Sequence, residues 1–271
     1  MDRRPAVSGF FYPSSKKELE ELLSTIDREV GEPDSCDNPI GVVVPHAGLI
    51  YSGITAMHSF KALRRSPARK FVIIGPNHNS YPRIAAAYSG GSWLTPLGSA
   101  KIDSALSDRI SELSEKIVID PTPHSVEHSV EVQIPFLQYI YGENFEFSPI
   151  ILGDQTKETA LEIAHALNGL GDEVAFVSTS DLTHYESHES ARRKDHDLVA
   201  VIESLDVPEL YRILGDRRIS SCGYGAIAIM MEIVRLRGGS LKLLDYRTSG
   251  ETSGDFSSVV GYASLVACPQ S

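Results

Sequence analysis

Val42-Val43-Val44-Pro45-His46-Ala47-Gly48 reads as a short buried strand that stops at a proline and hands a histidine to the following loop. β-branched residues fill the run, and turn-forming residues close it. The pattern returns at Phe71-Val72-Ile73-Ile74-Gly75-Pro76-Asn77-His78. A looser copy is Val174-Ala175-Phe176-Val177-Ser178-Thr179-Ser180-Asp181, with His184 just beyond. In open α/β sheets, ligands bind in the loops past the strand ends. Three strand ends that each bring a histidine predict one shared site.

Outward from these strands, helical and extended patterns alternate for most of the chain. Leu19, Leu22, Leu23 and Ile26 give a helix opened by Ser14-Ser15 one apolar face, and Gly31 closes it. Further helices are predicted from Ser52-Gly53 to about Arg64, over 103–116, into Phe136-Leu137, over 158–170, 189–204 and 208–214, and from Cys222-Gly223 to Arg237. Strands are predicted at 145–152, 241–247 and 259–268, with a strand pair over 84–101, and Gly250 to Gly254 reads as a loop. The aromatic opening Phe10-Phe11-Tyr12 is expected to be pinned on the body. This order implies an α/β fold: a single domain over residues 1–271, built as an α/β/α sandwich around a central mixed sheet.

The chain has 271 residues, 42% of them hydrophobic, which suits a globular domain with a full core. Its formal net charge of −11 argues against a nucleic-acid partner, which needs a basic face. Arg3-Arg4, Arg64-Arg65 and Arg192-Arg193-Lys194 read as solvated clusters. No run approaches the length of a membrane span, and no apolar segment near the N-terminus suits a signal peptide. Cys36, Cys222 and Cys268 are too sparse for a disulfide framework, which fits a reducing, cytoplasmic setting. Cys36 and Cys268 read as inert small hydrophobes.

Among nine histidines, His46, His78, His124, His128 and His184 lie outside helical patterns. A metal site needs a third ligand beside two imidazoles, and Asp181, Glu127, Glu131 and Cys222 are the candidates. Cys222 stands at a predicted helix start, where the dipole favours a thiolate. The G-x-S-x-G elbow, the phosphate-binding glycine loops and H-E-x-x-H are all absent.

Taken together, these motifs resemble the MEMO family (mediator of cell motility), in its prokaryotic form. The marks run in order along nearly the whole chain. They are Arg4-Pro5-Ala6-Val7-Ser8-Gly9 with Phe11-Tyr12-Pro13, Pro45-His46-Ala47-Gly48 with Tyr51-Ser52-Gly53, and Gly75-Pro76-Asn77-His78. Thr95-Pro96-Leu97-Gly98, Glu127-His128-Ser129-Val130-Glu131, Ser180-Asp181-Leu182-Thr183-His184-Tyr185 and Cys222-Gly223 follow. The resemblance implies a fold like that of the class III extradiol dioxygenases, non-haem iron enzymes that open catechol rings. It implies a metal held by His46, His78 and Cys222, with His184, Asp181 and His128 as catalytic neighbours. Leu49 stands where the family usually has an aromatic and Asn79 where it often has a second histidine, and both are expected to line the pocket.

Iron oxygenases of this class hold Fe(II) through two histidines and a carboxylate. A thiolate in the third position is soft and shifts the preference toward copper or zinc, so the metal is expected to be iron, copper or zinc. The leading functional expectation is a metal-dependent oxidoreductase acting on a small molecule. The alternatives are a binding module that holds a peptide or protein in a vestigial cleft, and a metal carrier working with a radical-SAM protein.

Overall fold

The computed structural model describes residues 2–79 and 84–270. In chain order the elements are α1 (Lys16–Glu29), β1 (Gly41–Val44), α2 (Leu49–Leu63), β2 (Lys70–Pro76), β3 (Ala85–Ala87), β4 (Ser92–Thr95) and β5 (Gly98–Ile102). There follow α3 (Ser104–Leu113), β6 (Ile117–Ile119), α4 (Ile134–Tyr141), β7 (Glu146–Leu152), α5 (Lys157–Asn168), β8 (Val174–Thr179) and β9 (His184–Glu186). The last are α6 (His188–Ser204), α7 (Val207–Arg217), α8 (Tyr224–Leu236), β10 (Ser240–Thr248), α9 (Gly250–Ser253) and β11 (Val259–Cys268).

Four parallel strands, in the order β1-β8-β2-β7, form the middle of the sheet. Their nearly unbroken apolar runs follow from burial on both faces. Within each run, alternate residues serve opposite layers. Val43, Val72, Ile74 and Phe176 join one core with α5, α6, α7 and α8. Val42, Val44, Phe71, Ile73, Ala175 and Val177 join the other with α1, α2 and α4. Antiparallel β11 and β10 extend the sheet beside β1, and β3 pairs antiparallel with β7 at the other side. The result is a three-layer α/β/α arrangement on a mixed sheet, as the alternation of elements predicts. The carboxyl ends of the parallel strands all open on one edge, and there the predicted histidines emerge.

Side chains of Ser15, Asp103, Thr156, Ser187 and Asp206 cap α1, α3, α5, α6 and α7. In contrast, α2 and α8 start at Gly48 and Gly223 with no side-chain cap. Those two helices begin just after His46 and Cys222, so their first turns lie against the site.

The N-terminal segment is pinned by a buried ion pair. The Arg3 guanidinium lies 2.6 Å from Glu131 Oε2, donates to the carbonyls of His124 and Glu127, and sits 4.1 Å from the centre of the Trp93 ring. Glu131 also accepts from the backbone N–H groups of Ala6 and Val7 and from the Tyr12 hydroxyl. Tyr12 is thus buried as expected, whereas Phe10 stays 88% exposed.

Several sequence expectations are corrected. Cys36 and Cys268 are not free apolar residues: they form a disulfide between positions 232 apart in the chain. Cross-linking so long a loop stabilises a fold by about 2–4 kcal/mol, mainly by restricting the unfolded chain. Residues 250–253 form the short helix α9, closed by Gly254 at φ 76°. The three-residue strands β6 and β9 carry too little pattern to be read from sequence. No described helix is long and apolar enough to cross a membrane.

Candidate metal centre

His46 leaves the end of β1 and is buried. Its backbone N–H donates to Asp181 Oδ1 at 2.8 Å, which ties the loop after β1 to the loop after β8. Its ring Nδ1 meets the Thr179 hydroxyl at 2.8 Å, and Gln133 Nε2 donates to that same oxygen at 3.1 Å. Nε2 therefore faces the other way, and Cys222 Sγ lies 3.1 Å from it.

His78 leaves the end of β2. Its backbone N–H donates to Glu127 Oε2 at 2.6 Å and its Nδ1 to Glu127 Oε1 at 2.8 Å. A carboxylate behind Nδ1 fixes the tautomer and leaves the Nε2 lone pair for a ligand, as metal-binding histidines usually require. Glu127 is fully buried and also accepts from the backbone of His128 and Ser129. Close packing sets this approach: a Cβ on Gly75 would fall 2.5 Å from Ser129 Oγ.

The His128 ring is stacked on His78 at 4.4 Å between centroids and lies 4.6 Å from Phe11. The ligand atoms of His46, His78 and His128 all lie within 4.8 Å of one another. The three histidines are thus in position to hold one metal ion among them.

Cys222 meets this group through His46: its sulfur lies 3.1 Å from His46 Nε2 but is not among the three ligand atoms that lie within 4.8 Å of one another. The Asp181 N–H points at its sulfur at 3.3 Å, and Ser180 Oγ accepts from the Gly223 N–H at 2.8 Å. Gln155 brackets the turn, donating to the Cys222 carbonyl and accepting from the Gly225 N–H. The loop can lie this close to β8 only because residue 223 lacks a side chain, since a Cβ there would sit 2.2 Å from the Thr179 carbonyl.

Charge favours metal binding by the imidazoles. Burial, reinforced by the neighbouring rings, drives the His46 pKa well below the usual histidine value. Burial also pulls His128 down to about 4, despite the opposing Glu127 charge. Both are neutral near pH 7, the form a metal needs. Burial alone would raise Glu127, but its hydrogen bonds and the charge of His78 outweigh it and hold the carboxyl at about 2. Burial and the Asp181 charge push the Cys222 thiol up, against the expected help from the helix start. A metal ligated by Cys222 would have to displace its proton.

Asp181 is buried beside His46, and desolvation raises its pKa to about 6 against the pull of the His46 N–H and the His184 charge. His184 lies in β9, with Nδ1 at 2.7 Å from the Leu182 carbonyl and 2.8 Å from that of Ser220. Two carbonyls at Nδ1 require a proton there, which leaves Nε2 as the basic nitrogen.

Other candidates go elsewhere. Glu131 is taken up by Arg3. His124 is buried against the Ala86 carbonyl, and burial lowers it to about 3. Leu49 does not face a pocket; it is buried in the core under α2. Asn79 donates to Glu127 Oε2 at 3.3 Å. Sequence reasoning missed Thr179, Gln133 and Phe11, although Thr179 lies inside the third strand motif.

A family model described as Memo-like protein matches residues 3–266. A MEMO1 family protein of Thermoplasma volcanium is 49% identical over 270 residues, covering 100% of both chains. Another, from Nitrosopumilus maritimus, is 40% identical over 98% of this chain and 99% of its own. Among solved structures, an uncharacterized protein from Escherichia coli K12 superposes with a TM-score of 0.58. It is 11% identical, and the match covers 83% of this chain and 98% of the other. At that identity the likeness concerns the fold alone.

Proposed function

The chain belongs to the Memo-like protein family, and from that premise we propose that it is a metal-dependent oxidoreductase acting on a small molecule. His46, His78 and Cys222 hold the metal. The reading rests above all on one observation: Cys222 Sγ is 3.1 Å from His46 Nε2, at the cluster that His46 forms with His78 and His128. The donor set fits a transition metal, because His46 is neutral, His78 is backed by a carboxylate, and the Cys222 thiol can bind by giving up its proton to the solvent as the metal arrives. Two nitrogens and a sulfur suit copper or zinc, and iron is the ion of the class III extradiol dioxygenases, whose fold the sequence resembles.

Such a metal would supply a redox-active, Lewis-acidic centre. The protein's own part is proton handling and orientation. His184 offers a basic Nε2, and Asp181 is placed to share a proton near neutral pH. His184→Ala is expected to leave metal content nearly unchanged and to lower oxygen consumption with catechols or ascorbate by about 10²–10⁴-fold. Loss of the metal in that variant would make His184 a ligand instead. Absence of oxygen uptake by the metal-loaded wild type would overturn the oxidoreductase reading.

A second reading, a module binding a peptide or protein, draws on exposed apolar side chains. Ile50, Val126 and Tyr185 are 61, 58 and 78% exposed, and each lies within four residues of a site residue.

A further inference from the structure

We infer that the centre carries two overlapping ligand sets that share His46 and His78, one completed by Cys222 and the other by His128. The softness of the ion selects between them. This rests on the reading above, that His46 and His78 hold a metal.

The two candidates for the third position come from different parts of the chain. Cys222 stands just ahead of α8 and reaches His46 Nε2 at 3.1 Å. His128 stands in the segment before α4, with a ligand atom within 4.8 Å of those of both His46 and His78. Its ring is held in place by His78 and Phe11. Glu127 Oε1, already bonded to His78 Nδ1, lies 3.4 Å from His128 Nδ1. One buried carboxylate thus lies close to both imidazoles, hydrogen-bonded to the ring of His78 and beside that of His128. Sulfur selects Cu(I), whereas imidazole serves borderline ions such as Zn(II) and Co(II). The same pair of histidines can therefore close on either kind of ion with a different third partner.

The test is anaerobic titration of the full-length protein with Co(II) and, separately, Cu(I). Wild type, Cys222→Ser, His128→Gln and the double variant are compared, with folding checked by thermal melting. The wild-type Co(II) protein is expected to show no sulfur-to-cobalt charge-transfer absorption, and Cys222→Ser to keep one Co(II) per chain at unchanged affinity. Adding His128→Gln should then lower Co(II) affinity by about a hundredfold or more. His128→Gln alone should leave Cu(I) affinity unchanged. Equal Co(II) affinity in Cys222→Ser and the double variant would overturn the inference, as would a His128→Gln protein that loses Cu(I) as Cys222→Ser does. Failure of the wild type to bind either ion would overturn the metal reading itself, which separates the two failures.

Discussion

Replacing Arg3 with alanine is expected to destabilise the fold by about 3–5 kcal/mol, the usual cost of removing one partner of a buried ion pair. The Arg3 and Glu131 side chains are 4% and 1% exposed, so neither is screened by water. Without the guanidinium, the Glu131 carboxylate stays buried with only the Tyr12 hydroxyl and two backbone N–H groups. The carbonyls of His124 and Glu127 lose their donor as well. Arg3 thereby braces the segment that bears Glu127 and His128, so metal affinity should fall along with stability. Urea unfolding measures the first effect. A loss below about 1 kcal/mol would place the pair among weak surface bridges and contradict the bracing role.

Glu127→Gln is the second large effect. The carboxylate accepts from His78 Nδ1, from the backbone N–H groups of His78, His128 and Ser129, and from Asn79 Nδ2. A glutamine turns one acceptor oxygen into a donor, so at least one of these N–H groups is left facing another. Buried donors without partners cost about 1–3 kcal/mol. The His78 ring also loses the charge that fixes its tautomer. Metal affinity is expected to fall about 10–100-fold, since partners behind a ligating histidine commonly carry that much. Isothermal titration with Zn(II) gives the value, and an unchanged affinity would remove Glu127 from the account of the centre.

The parts of this protein that sequence reveals are those governed by local pattern. Val42–Val44 and Phe71–Ile74 announce buried strands, and their parallel pairing through β8 brings His46, His78 and Asp181 to one edge. The turn at Cys222-Gly223 is legible for the same reason, because it precedes an apolar helix. Long-range pairings leave no periodic trace. Arg3 meets Glu131 across 128 positions, Glu127 reaches back to His78, and Cys36 finds Cys268 at the end of the last strand. Glu127 reads from sequence as a candidate metal ligand, yet its oxygens accept from histidine N–H groups, a role that only three-dimensional placement defines. Leu49 likewise turned inward because α2 begins three residues earlier than the Ser52-Gly53 signal implied.

The central claim is that His46 and His78 share one metal ion. Its most direct test is metal content by mass spectrometry after equilibrium dialysis against Zn(II), comparing wild type with a folded His46→Ala/His78→Ala variant. The account requires about one ion per chain in the wild type and none above background in the variant. Equal metal in both proteins would contradict it.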